Sequence, residues 1–175
     1  MASARRRAGI SPSPASAGGR PDHHRTTLIS CVGNETATWS PGLTNRVQPY
    51  TITVDNRWSS CSVGGNPAAV SARSQAQFTV VESCAQFGVP ANATWLIKWS
   101  NGSTSTFTFD ATVNISGGNF MITAPGTITD GAYRGSLAIA TFTLLNSAGL
   151  FTNGCDTPEG VTNISGPSAL VILDD

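Results

Sequence analysis

Trp95-Leu-Ile-Lys-Trp-Ser-Asn-Gly-Ser-Thr-Ser-Thr-Phe-Thr-Phe-Asp-Ala-Thr-Val-Asn-Ile115 is the stretch that decides the fold. From Phe107 onward apolar and polar residues alternate. Phe107, Phe109, Ala111, Val113 and Ile115 share one face, and Thr108, Asp110, Thr112 and Asn114 share the other. A repeat of two marks a β-strand with one buried and one wet face. Wound as a helix, the same apolar positions would spiral around the whole surface. Trp95, Ile97 and Trp99 repeat the alternation upstream, and Asn101-Gly102 between the two runs is a hairpin signal. The stretch predicts antiparallel pairing.

Register follows from the turn. A two-residue turn at Asn101-Gly102 sets Trp99 across from Thr104 and Ile97 across from Thr106, apolar beside polar. Adding Ser103 to the loop shifts the pairing by one, so that Ile97 faces Phe107 and Trp95 faces Phe109. A one-residue slip inverts every side chain, so burial selects the three-residue loop with a glycine-assisted bulge.

Outward from this hairpin the chain reads as further short strands. The first runs from near Cys31 through Trp39 and turns at Pro41-Gly42-Leu43-Thr44-Asn45; Val47 to Val54 follows. Asp55-Asn56 and Ser59 to Pro67 read as a loop around Cys61. Ala76, Phe78 and Val80 mark the next strand, ending close to Cys84. Past Ile115, Gly117-Gly118 turns the chain into Asn119 to Thr123, and Pro125-Gly126 reads as an interruption. Leu137 to Leu145 is an apolar run with little alternation, either a central strand buried on both faces or a short buried helix; its flanking glycines, length and β-branched residues favour the strand. Asn153 to Gly160 is a loop holding Cys155, and Ser168 to Leu173 closes the sheet. The expected fold is all-β: an antiparallel β-sandwich or small barrel of eight or nine strands with two disulfides.

Composition divides the chain at residue 25. Residues 1–25 hold five arginines against Asp22, a charge of +4, with both histidines and a Ser/Pro/Gly-rich run, and are expected to be a disordered tail. Residues 26–175 hold five basic and nine acidic side chains, a charge of −4, and are expected to form one domain. This acidic balance argues against nucleic acid as a partner. With no run of 18 apolar residues in the chain, no transmembrane helix is expected.

Four dispersed cysteines (Cys31, Cys61, Cys84, Cys155) with no Cys-x-x-Cys pair fit two disulfides rather than a metal site, and so an oxidising compartment. No apolar signal run follows Arg5-Arg-Arg7. The two readings are a cytosolic chain with free thiols, or an exported protein whose true start lies elsewhere; the cysteines favour export to the cell surface or medium.

Chemistry is sparse. Only His23 and His24 occur, both in the tail, so Ser-His-Asp and Cys-His catalysis find no residues in the folded part. No phosphate-cradling motif is present, and no cofactor or metal is expected. Among carboxylates, Asp110 stands in the middle of a regular strand's polar face, where a paired acid would suit glycoside hydrolysis. No second acid can be placed opposite it. Asp156 and Glu159 beside Cys155 are oxygen ligands of the kind calcium takes. Trp58, with Arg57 before it, stands in an unpatterned segment near Cys61. It is a candidate for stacking on a sugar or anchoring a protein partner, against the plainer role of capping the core.

Cys31-Val-Gly-Asn-Glu-Thr-Ala-Thr-Trp-Ser-Pro-Gly-Leu-Thr44, Lys98-Trp-Ser-Asn-Gly-Ser-Thr-Ser-Thr-Phe107 and Gly160-Val-Thr-Asn-Ile-Ser-Gly-Pro-Ser-Ala-Leu170 resemble uncharacterised small secreted β-rich proteins of streptomycetes and related actinobacteria. The resemblance spans roughly residues 28 to 173 and implies export, with no catalytic residues to carry over. Two function classes follow. The preferred one is an exported, non-catalytic β domain that binds a carbohydrate or extracellular protein, or sits at the cell surface. The alternative is a small carboxylate-dependent hydrolase such as a glycoside hydrolase.

Of three possible cysteine pairings, the hairpin at Pro41-Gly42 favours Cys31–Cys61, because it returns both to one end of the sheet. That leaves Cys84 for Cys155; the chief rival is Cys61–Cys84. With all four paired, the oxidised protein has an intact mass roughly 4 Da below the reduced form, and alkylation without reductant labels nothing. Labelling of two or more thiols under native conditions would contradict this.

Overall fold

A computed structural model of the chain describes residues 25–68, 70–88, 92–116, 119–145 and 153–174. The expected tail, apart from Arg25, lies outside the described residues, as do His23 and His24. Ten strands are present among them: β1 (Thr27–Leu43), β2 (Gln48–Val63), β3 (Asn66–Ala68), β4 (Ala72–Glu82), β5 (Ala93–Trp99), β6 (Thr104–Phe109), β7 (Thr112–Ser116), β8 (Asn119–Gly131), β9 (Leu137–Leu144) and β10 (Val161–Leu173). All pairings are antiparallel. They run β1-β10-β9-β8-β6-β5-β4-β2, and β2 pairs β1 again, so the sheet closes on itself. The expected all-β fold is therefore a closed barrel. β3 folds back to pair with the end of β2, and β7 continues the line of β6 along β8.

Closure gives every strand an inner and an outer face. β9 shows it plainly: Ala138, Ala140, Phe142 and Leu144 are buried, whereas Ile139 and Thr141 are exposed. The run Leu137 to Leu145 is thus a strand as expected, buried on one face only. β1 and β2 are far longer than the sequence suggested. β1 continues through Pro41-Gly42, and the turn falls after Leu43, where the Tyr50 hydroxyl donates to the Arg46 carbonyl at 2.8 Å. β2 carries on through Asp55-Asn56 and the predicted loop to Val63. Its alternation slips at Ser59-Ser60, so that Trp58 and Cys61, three residues apart, both point inward. This bulge explains why the segment looks unpatterned. Opposite it, a Cβ on Gly33 would run into the Arg57 carbonyl oxygen and the Trp58 Cα. Only glycine allows the two backbones to approach this closely.

At the Asn101-Gly102 hairpin the loop has three residues, but Ser100 joins it rather than Ser103. Trp95 faces Phe107, Ala93 faces Phe109, and Ile97 faces Ser105, not Phe107. The Gly102 N–H donates to the Trp99 carbonyl at 3.0 Å, and Trp99 N–H donates to Ser103 O at 2.9 Å. Asn101 is therefore the third residue of a type I turn, and Gly102, at φ 88°, takes the left-handed position behind it. The Asn101 side chain accepts from the Ser103 N–H at 2.9 Å and so fixes that choice. Parity matches the expectation; the register differs. Pro125-Gly126 does not interrupt β8. There β8 passes from its partner β7 to its partner β6, so the missing proline N–H costs no ladder bond.

Both disulfides pair as expected. Cys31 and Cys61 are direct cross-strand partners with Cα atoms 4.0 Å apart. Cys84, just past β4, joins Cys155, in the loop before β10, with a Cα separation of 6.2 Å. The second bridge closes a span of 71 residues and removes about 4 kcal/mol of unfolded-chain entropy. A belt of polar side chains crosses the interior. Trp58 Nε1 donates to Ser168 Oγ at 2.9 Å, Ser168 Oγ donates to Asn56 Oδ1 at 3.1 Å, and Asn56 Nδ2 reaches Ser74 Oγ at 3.5 Å.

Gly33→Ala should lower stability by about 2 kcal/mol or more, near 5 °C in Tm, because its new methyl group meets backbone. Gly64→Ala, where a Cβ meets nothing and only a φ of 55° resists, should cost about 1 kcal/mol. Equal losses in thermal melts would mean that the bulge does not depend on glycine.

Candidate functional site

One seam of the barrel is incomplete. β4 and β5 pair only at Ala72–Trp99 and Arg73–Lys98, after which they diverge. The inward residues of β4 lose cover accordingly: Ala72 and Ser74 are buried, but Ala76, Phe78 and Val80 are only half-buried. Between the splayed strands lies a cavity of about 240 Å³. Its walls are Val54, Phe78, Trp95, Phe109, Ile122 and Phe142, with Gln77, Asn92 and Thr94 at the rim. Trp95 packs against Phe109, with ring centroids 4.6 Å apart, and against Phe142 at 5.3 Å. A smaller lobe of about 70 Å³, sharing Glu35, Val54, Phe78 and Ile122, reaches further in to Trp39 and Glu82.

Glu35 lines both lobes and is 3% exposed. The period of two puts it there, because Cys31, Gly33, Glu35, Ala37 and Trp39 all share the inner face of β1. Its neighbours across the ladders are Asn56 on β2 and Gly166 on β10. Asn56 is engaged with Ser168 and Ser74, and Gly166 has no side chain. Glu35 Oε2 is buried without a hydrogen-bond partner, and burial pushes the carboxyl up to about 8. A buried polar atom left unpaired is expensive, which makes this position one to explain.

Glu82 makes the contrast. It too is buried, yet Trp39 Nε1 donates to its Oε1 at 2.8 Å and the Gly88 N–H donates to its Oε2 at 2.9 Å. Burial raises its pKa, and these two hydrogen bonds partly offset that. Oε1 thus ties the end of β4 to Trp39 of β1, and Oε2 holds the chain at Gly88. Neither acid stood out in the sequence, although each is a charge in step with apolar neighbours: Glu35 with Ala37 and Trp39, Glu82 with Phe78 and Val80. That mismatch was the available signal.

The residues singled out by sequence fall elsewhere. Trp58 is fully buried in β2 with its N–H bound to Ser168, so no ring face is presented to solvent, and its place is in the core. Arg57 points outward and pairs with Asp55 at 3.1 Å. Asp110 accepts from the Asn92 N–H at 2.8 Å, holding Asn92 at φ 52° on the cavity rim. Asp156 accepts from Asn45 Nδ2 at 2.8 Å, and Glu159 is exposed in the same loop. Among the described residues no group of three or more His, Cys, Asp or Glu side chains could hold a metal, and no helix is long and apolar enough to cross a membrane.

The Glu35 carboxyl rises from its ordinary 4.5 to about 8 on folding. The folded chain therefore keeps a proton that the unfolded chain loses between those values, and stability falls as pH rises across the window. Glu35→Gln should be more stable than the wild type by roughly 2 to 4 kcal/mol at pH 8, a gap that closes toward pH 4.5. Part of the slope should persist through Glu82. Urea unfolding at a series of pH values measures this, and a constant gap would contradict it.

No protein-family model, curated protein or solved structure matches the chain, and the site is read from its own residues.

Proposed function

We propose that the protein is an exported, non-catalytic barrel that binds a small, mostly apolar molecule through the seam between β4 and β5. The observation that carries this reading is the cavity itself: aromatic and aliphatic walls, a short polar rim, and one polar group at depth, the composition usual for small-molecule sites. Two disulfides support export, as does the resemblance to secreted actinobacterial proteins. Where a cavity of roughly 150 Å³ accepts benzene, this one takes a body of roughly ten non-hydrogen atoms. Carbohydrate fits less well, because its hydroxyls would find few partners on these walls. A hydrolase is also less well supported. Glu35 and Glu82 line one lobe, but both Glu82 oxygens are already hydrogen-bonded, leaving no second carboxylate free for a water or a nucleophile.

Trp95 supplies the readout. Titration with 2-phenylethanol, exciting at about 295 nm, should change tryptophan fluorescence saturably, with a Kd of roughly 10 to 100 µM. Ala76→Trp, which fills the mouth, should abolish the change. Absence of saturable binding, or binding indifferent to Ala76→Trp, would refute the proposal.

A further inference from the structure

Resting on that reading, we infer that the molecule held in the cavity is a small amine, its ammonium group seated on Glu35 and its apolar body lying between Trp95, Phe109 and Phe142 toward the mouth.

Four observations combine. Glu35 Oε2 is buried, unpaired and part of the cavity lining, and Asn56, its nearest polar neighbour across the ladder, is committed elsewhere. Among the described residues no lysine, arginine or histidine lines either lobe, and the only other carboxyl group there is Glu82, held by Trp39 and Gly88. The donor that Oε2 lacks must therefore come from what enters. Second, the walls offer aromatic rings, whose faces attract a cation, and the attraction grows when water is excluded. Third, in the larger lobe the other described polar side chains, Gln77, Asn92 and Thr94, stand at the rim, so the molecule is polar at one end. Fourth, a neutral acceptor such as a ketone or alcohol needs only a hydroxyl or amide in the wall, without the desolvation cost of a carboxyl. A carboxyl becomes the fitting residue when the guest carries the opposite charge.

The proton balance can be written out. Where Glu35 is protonated, an ammonium ion binds as the carboxyl gives its proton to solvent, leaving a carboxylate–ammonium pair. Burial holds the Glu35 proton in the empty barrel to about pH 8, so amine affinity should rise through neutral pH and level off as the empty site becomes ionised. A neutral guest that accepts a hydrogen bond from the protonated acid would show the reverse.

Calorimetry on the full chain with 2-phenylethylamine, 2-phenylethanol and 3-phenylpropionate, in two buffers of different ionisation heat, tests this. At pH 8 the amine should bind at least roughly tenfold tighter than the alcohol, and the acid should not bind. Between pH 6 and 7 amine binding should release close to one proton, with affinity rising by up to roughly tenfold per pH unit. Glu35→Gln should lose the amine preference and the proton release while still binding the alcohol. Proton release by the wild type tests the pairing independently of that variant. If amine and alcohol bind alike, or only the alcohol's affinity changes with pH, the amine assignment fails and the cavity reading stands. If no probe binds, both fail.

Discussion

Everything in this molecule depends on β1 being paired along both edges at once. It takes β10 on one side and β2 on the other over most of its length, and that double pairing turns a meander into a barrel. A closed sheet has no free edges and only one interior, so each residue's parity on β1 decides whether it meets water or the core. Cys31, Glu35, Ala37 and Trp39 are inside for this single reason. The cross-strand disulfide then fastens the β1–β2 seam, and the polar belt of Trp58, Ser168, Asn56 and Ser74 links β2 with both β10 and β4.

Within that enclosure the two buried acids play opposite parts. Glu82 is a structural acid: an indole N–H and a backbone N–H take its two oxygens, and the chain after β4 is held by them. Glu35 has been given the same burial without the partners. The difference is one of supply rather than of position, and it separates a fastened acid from an unpartnered one in a single cavity.

What could be read in advance follows from how local the signals are. Alternation from Phe107 to Ile115 identifies the strands because the period of two is a property of neighbours; the break at Asp110-Ala111, which divides β6 from β7, is set by how β8 is shared between them. The cysteine pairing was legible because a hairpin brings its own ends together, even though the turn lies after Leu43. The plainer core role of Trp58 holds, but its place within a strand is hidden because the bulge at Ser59-Ser60 breaks the count, and the glycine that lets the backbones approach there, Gly33, sits on another strand. The cavity was invisible. Its existence depends on β4 and β5 separating after two pairs, and neither strand carries a pattern that announces this.

The splayed seam also has a kinetic meaning. Trp58 and the Cys31–Cys61 bridge lie toward one end of the barrel, and Trp39, Glu82 and the Cys84–Cys155 bridge toward the other. A guest of the proposed kind would pass by the strip where β4 and β5 run apart, beside a rim that the Asp110–Asn92 hydrogen bond holds in shape. Entry there would draw on a sideways flexing of two strands that are laced together at only two pairs. The dwell time of such a guest would then measure the barrel's elasticity along one line, and it would be lengthened or shortened by changing how far that line is laced, without touching the cavity walls.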